Sequence, residues 1–170
     1  MSRRVVTGLR YLLVTAVLVT VVGLVGRLLA WPLITSTVGP TAYVFASHPD
    51  TESARARNAV VGHTCALAVG LASLAIFGLW NYPSVSAIGA PTLAQVGAAA
   101  VATGGTLLLL ELLRSHHAPA AATALLVSTG LAKPGPGLIG LVLGLAMVIA
   151  LGPYFSRWPV LPGRPRSDGR

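Results

Sequence analysis

The chain has 170 residues, of which 9 % are Asp, Glu, Lys or Arg and 54 % are hydrophobic, and its mean hydropathy is +0.77. Roughly 25 % of an ordinary soluble domain is charged, so this composition excludes one, and the high hydropathy excludes a disordered chain. The excess of 12 basic over 4 acidic residues falls at the chain ends and between apolar runs, where it fits membrane orientation and anionic lipid; no nucleic-acid partner is expected.

Four runs are long enough to cross a bilayer, which takes about 20 predominantly apolar residues. They cover 9–31, 59–80, 91–113 and 137–158. The first follows Met1-Ser2-Arg3-Arg4; it exceeds the usual signal core of about 7–15 residues and has no small-x-small cleavage pattern behind it, so it reads as a retained anchor. Three runs end on Trp31, Trp80 and Trp158, a residue favoured at the lipid–water interface. Pro32, Pro83 and Pro159 follow, where helices commonly stop. Cys65 is the sole cysteine and cannot form an internal disulfide.

The connections are unequal. The one at 81–90 is short and uncharged. Those at 32–58 and 114–136 each hold a Pro-started apolar insert, at Pro40 and at Pro119. Both inserts are too apolar for solvated loops and too short to cross as helices, and Pro suits the first helical turn. They are therefore expected to be re-entrant half-helices, entered through extended segments at 33–39 and 115–118. The order span, insert, span occurs twice, and the insert prolines lie 79 positions apart, at 40 and 119.

The expected fold is an all-α membrane protein with four transmembrane helices and two re-entrant half-helices, forming two parallel structural repeats. One membrane domain fills 1–170, with repeats at about 9–80 and 91–158 and a basic disordered tail at 159–170. With four spans, both termini and the middle loop share one side. That side carries Arg3, Arg4, Arg10, Arg157, Arg164, Arg166 and Arg170; the other carries Arg27, Arg55, Arg57, Arg114 and Lys133. The bias predicts a multi-pass protein of the cell (plasma or inner) membrane with both termini cytoplasmic.

Irregular backbone at membrane depth must be buried in protein or line a wet cavity. Two half-helix N-termini converging there make an anion site from free N–H groups, without a full charge. The plainer alternative is that the inserts only plug the bundle. The residues expected to bind the anion are His117, Pro119 and Thr123 at the second insert, Pro40 and Thr41 at the first, and Arg57, Asn58 and His63 at the start of the second span. Thr41 and Thr123 offer hydroxyls, Arg57 attracts anions to the mouth, and His117 orients or protonates the substrate.

The small-residue stripe Ala16, Thr20, Gly23, Arg27 and Ala30, and the stripe Ala59, Gly62, His63, Ala66, Gly70 and Ser73, read as helix-packing faces. Arg27 is expected to snorkel to the interface, and Glu111 to pair with Arg114. His48, His63, His116 and His117 lack a familiar ligand spacing. No metal or other cofactor is therefore expected, and without a nucleophile elbow, P-loop or CxxC no enzymatic activity is either.

The stretch Gly39-Pro40-Thr41-Ala42-Tyr43-Val44-Phe45, then Arg57-Asn58 and Gly62-His63, resembles the HPP family of small four-span membrane proteins. So does the stretch from His117 through Ser128, although Ala118 and Ala121 stand where the family motif has Pro and Gly, and Ala56 replaces its Pro before Arg-Asn. Plastid and cyanobacterial members are linked to nitrite transport. The resemblance thus implies a transporter or channel for nitrite or a similar small monovalent anion; the competing expectation is a non-transporting scaffold or assembly protein. Four spans are few to shield two inserts from lipid, so a homo-oligomer is expected.

Overall fold

A computed structural model describes residues 2–157 of the chain. Trp158, Pro159 and the tail at 159–170 lie outside the described residues. Among those described, every regular element is helical: α1 (Arg3–Leu29), α2 (Val38–Ser47), α3 (Ala56–Ile76), α4 (Val85–Ile88), α5 (Leu93–Leu112), α6 (Ala120–Ser128) and α7 (Pro136–Ser156), with a 3-10 turn at Glu52–Ala54. Four of them, α1, α3, α5 and α7, are long and apolar enough to cross a membrane. They match the four expected runs to within four residues, except that α1 begins six residues earlier, at Arg3. A near-continuous apolar sequence leaves the backbone no partner but itself.

Local chemistry sets several ends. Ala30 turns left-handed at φ 54° and returns its N–H to the carbonyls of Gly26 and Arg27, which closes α1 ahead of Pro32. Thr92 and Gln95 form a reciprocal capping box at the start of α5. Pro136 sits in the first turn of α7, where its missing N–H costs nothing. α2 begins at Val38 rather than at Pro40, two residues earlier than the proline suggests, with Thr37 as its cap. α6 conforms, with Pro119 as its cap.

The bundle has two distinct ends. At the first end, an Arg10 guanidinium N–H donates to the Ser156 carbonyl and Tyr11 Oη to the Ser47 carbonyl (3.3 Å), joining the start of α1 to the ends of α7 and α2. A cavity of about 370 Å³ between residues 49–56 and Pro153, Ser156 and Arg157 places the start of α3 there as well. At the second end, Pro32 lies against Gly140 near the start of α7. The middle loop joins this end: the Val85 N–H donates to the Thr129 carbonyl (3.2 Å), and Lys133 Nζ donates to the Tyr82 carbonyl.

These contacts correct the expected re-entry. Segment 30–55 starts at the second end and finishes at the first; segment 113–135 starts at the first and finishes at the second. Neither returns to the end it left. Each has an extended stretch followed by a short helix, so the pair traverse the bundle as broken elements. The middle loop therefore lies at the opposite end from the chain's first and last described residues, not at the same end. The pairing of halves as parallel repeats, which required two traverses per half, falls with it: each half traverses three times.

The two short helices each bury one face in the bundle. α2 packs between α1 and α7, and α6 between α3 and α5, while α3 and α7 meet across the middle. One core cluster, between α1, α2 and α7, joins Val14, Leu18, Val22, Phe45, Ala46 and Val148. Another joins Leu74, Ala98, Val127, Leu141 and Leu145 toward the second end. The stripe on α3 is buried as expected, with Ala59, Gly62, His63, Ala66, Gly70 and Ser73 all inside. The stripe on α1 is not: Ala16, Thr20, Arg27 and Ala30 face outward.

Candidate functional site

The site follows from how closely α3 and the start of α6 approach, with α2 reaching it through the Thr41 side chain. Gly62 makes that approach possible, since a Cβ there would lie 3.1 Å from the His117 Cβ and 3.2 Å from the Ala120 Cβ. One residue on, His63 projects from α3 between the first turns of both short helices. Its Nδ1 is 2.8 Å from Thr123 Oγ1 on α6, and its Nε2 is 3.2 Å from Thr41 Oγ1 on α2. His117, in the extended stretch before α6, reaches the same ring: its Nε2 lies 3.2 Å from His63 Nε2, and the two rings meet edge to face with centroids 4.9 Å apart. The far nitrogen of His117, Nδ1, is 2.7 Å from the Ser53 carbonyl. Thr37, Thr41, Thr123 and His117 are fully buried and His63 nearly so.

One partner fixes the polarity of the chain. A carbonyl oxygen only accepts, so His117 Nδ1 carries a hydrogen and donates to Ser53. In the neutral ring, His117 Nε2 is then bare and accepts, which requires His63 Nε2–H to donate to it. That same N–H also faces Thr41 Oγ1, whose own hydroxyl donates to the Thr37 carbonyl at 2.8 Å. His63 Nδ1 is left as the acceptor for the Thr123 hydroxyl. Hydrogen bonds thus run in one direction, from Thr123 through His63 and His117 to Ser53, and each ring nitrogen is engaged.

Of the eight residues expected at the site, the structure brings four together: Thr41, His63, His117 and Thr123. Pro119 is buried beside them as the cap of α6. Asn58 is buried but bonds away from the cluster, its Nδ2 donating to the Glu52 carbonyl at 3.0 Å. Pro40 and Arg57 are exposed and stand outside it. Thr37 and the Ser53 carbonyl were not anticipated. Thr37 lies one turn before Thr41, a spacing that points to it, whereas a backbone carbonyl leaves no mark in a sequence. Glu111 lies 3.7 Å from the His116 ring nitrogen, in place of the expected pair with Arg114, which sits in a left-handed turn at φ 48°. Among the described residues no group of three or more His, Cys, Asp or Glu is placed to hold a metal ion.

A helical bundle with four spans of this length and apolarity, with polar side chains buried within it, defines an integral membrane protein. The sequence model of the HPP transmembrane region matches residues 2–159, and the chain belongs to that family. No curated protein and no solved structure matches the chain.

Proposed function

We propose that this protein moves a small monovalent anion across a membrane, nitrite or one of similar size, as a transporter or channel. One observation carries the reading: the first turns of two buried short helices converge on a single histidine, through Thr41 and Thr123 on His63. The positive dipole ends of both helices favour an anion where no full countercharge stands, although first-turn N–H groups such as those of Val38, Ala120 and Ala122 already donate to local carbonyls. Irregular backbone inside a membrane bundle is tolerated where it is buried in protein or lines a wet pathway, and the second condition fits this reading.

In this reading segments 30–55 and 113–135 cross the bilayer in broken form. Each half crosses three times, so the halves are inverted repeats about an axis in the membrane plane, an arrangement common among secondary transporters. A constant offset of 82 residues, as from 41 to 123, supports the relation. It pairs Val38 with Ala120, Thr41 with Thr123, Phe45 with Val127, Gly62 with Gly144 and Gly70 with Gly152. The contacts follow suit: Gly62 packs on Ala120 as Gly144 packs on Val38, and Gly70 packs on Val127 as Gly152 packs on Phe45. Pro40 and Pro119 are out of this register, which is why the prolines misplace it.

Broken crossings also move Arg55, Arg57 and Arg114 to the side of the termini, beside Arg4, Arg10 and Arg157, and leave Arg27 and Lys133 opposite. The positive-inside bias then supports cytoplasmic termini in a cell or inner membrane. The outward stripe on α1 supports a homo-oligomer, and a detergent-phase mass equal to one chain would contradict that.

Liposomes holding the purified protein are expected to take up nitrite faster than empty ones, and His117→Ala to slow the uptake. Flux at background for nitrite, nitrate, formate and chloride would overturn the proposal. The completeness of hydrogen bonding at His63 and His117 favours a second reading, a non-transporting scaffold with a closed core. Background flux from a protein that remains folded is the result expected of it.

A further inference from the structure

We infer that the anion travels with a proton, one for one, and that the proton is taken up by the His63–His117 pair. The inference rests on the anion-pathway reading and adds its coupling ion.

In the neutral pair both ring N–H groups are already committed, His63 Nε2–H to His117 Nε2 and His117 Nδ1–H to the Ser53 carbonyl. The Thr41 hydroxyl is committed to the Thr37 carbonyl and the Thr123 hydroxyl to His63 Nδ1. Of His63, His117, Thr41 and Thr123, none has a hydrogen left to offer an anion. One added proton changes this. Placed on His63 Nδ1, it turns the Thr123 hydroxyl away and frees it as a donor. Placed on His117 Nε2, it sets two N–H groups against each other across 3.2 Å, so the rings part and an N–H is released. Either route aims a new donor between the first turns of α2 and α6. The proton adds to a nitrogen lone pair and no covalent bond breaks.

Charge gives the stoichiometry. The charged groups on the surrounding elements face outward: Glu52, Arg55 and Arg57 around the start of α3, and Glu111, Arg114 and His116 at the end of α5 are all exposed. On the α2 side, Tyr43, His48 and Asp50 are exposed as well, and on α3 Cys65 is half-buried. The groups that meet the pair are hydroxyls and a carbonyl. A lone anion there would be a buried charge without a partner, and so would a lone imidazolium. Together they neutralise each other, and by linkage each raises the affinity for the other.

Proteoliposomes containing a pH-sensitive dye, with the membrane potential held at zero by potassium and valinomycin, test this with nitrite as the probe. Lumenal acidification matching nitrite uptake one for one, above that of empty liposomes, is expected. Uptake without acidification would overturn the inference while leaving anion transport standing; no uptake would remove both. His117→Asn keeps a donor for the Ser53 carbonyl but cannot hold the proton. With the variant shown to be monodisperse in detergent, coupled acidification is expected to be lost, and its persistence would overturn the assignment.

Discussion

His63 joins three helical elements through two ring nitrogens, and the chemistry of the site turns on which atoms give hydrogens. Thr123 supplies the hydroxyl that His63 Nδ1 accepts at 2.8 Å. Thr123→Val keeps the shape and removes the donor, leaving a buried acceptor unpaired, which costs about 1–3 kcal/mol. Thermal unfolding in detergent is expected to show that loss for Thr123→Val and much less of it for Thr123→Ser; equal behaviour of the two would contradict the hydrogen bond. Four of the site's side chains were legible in the sequence because polar groups within or beside apolar runs need partners. Pro40 and Arg57 misled because adjacency in a motif says nothing of direction. Pro40 follows the start of α2 on its outer side, and Arg57 lies on the exposed face of α3 while its neighbour Asn58 turns inward. The Ser53 carbonyl, which fixes the whole chain of hydrogen bonds, has no side-chain signature.

At the scale of elements, close approach is set by glycine. A Cβ on Gly140 would stand 2.6 Å from the Pro32 carbonyl oxygen, so α7 meets the extended stretch before α2 backbone to backbone. Gly104 on α5 has nothing within 4 Å of the same position. Gly140→Ala is therefore expected to destabilise by about 1–3 kcal/mol through overpacking. Gly104→Ala is expected to stabilise by about 0.5–1 kcal/mol through helix propensity. Melting curves in one detergent check both, and a Gly140→Ala protein as stable as the parent would contradict the packing. The long helices could be read directly from apolar length. The broken traverses could not, because α2 and α6 have 10 and 9 residues and a helix of that length covers only about 15 Å. The remaining distance is covered by extended chain, which carries little apolar signal.

For the molecule as a whole, the number of crossings decides everything above it: the relation of the halves, the side on which each arginine falls, and the side from which His117 is approached. Four spans with re-entrant inserts put the middle loop on the side of the termini and the 48–55 loop opposite. Broken crossings reverse this, with the 48–55 loop beside the termini and the middle loop opposite. The basic residues then segregate more strongly than the sequence alone suggested, which is the pattern insertion favours. Single cysteines at Ser2, Thr51 and Ser86, all exposed, separate the two arrangements in a Cys65→Ala background when sealed vesicles of known orientation meet a membrane-impermeant thiol reagent. Ser2→Cys and Thr51→Cys are expected to be labelled from one side and Ser86→Cys from the other. Labelling of Ser2→Cys and Ser86→Cys from one side, with Thr51→Cys opposite, would contradict the broken crossings.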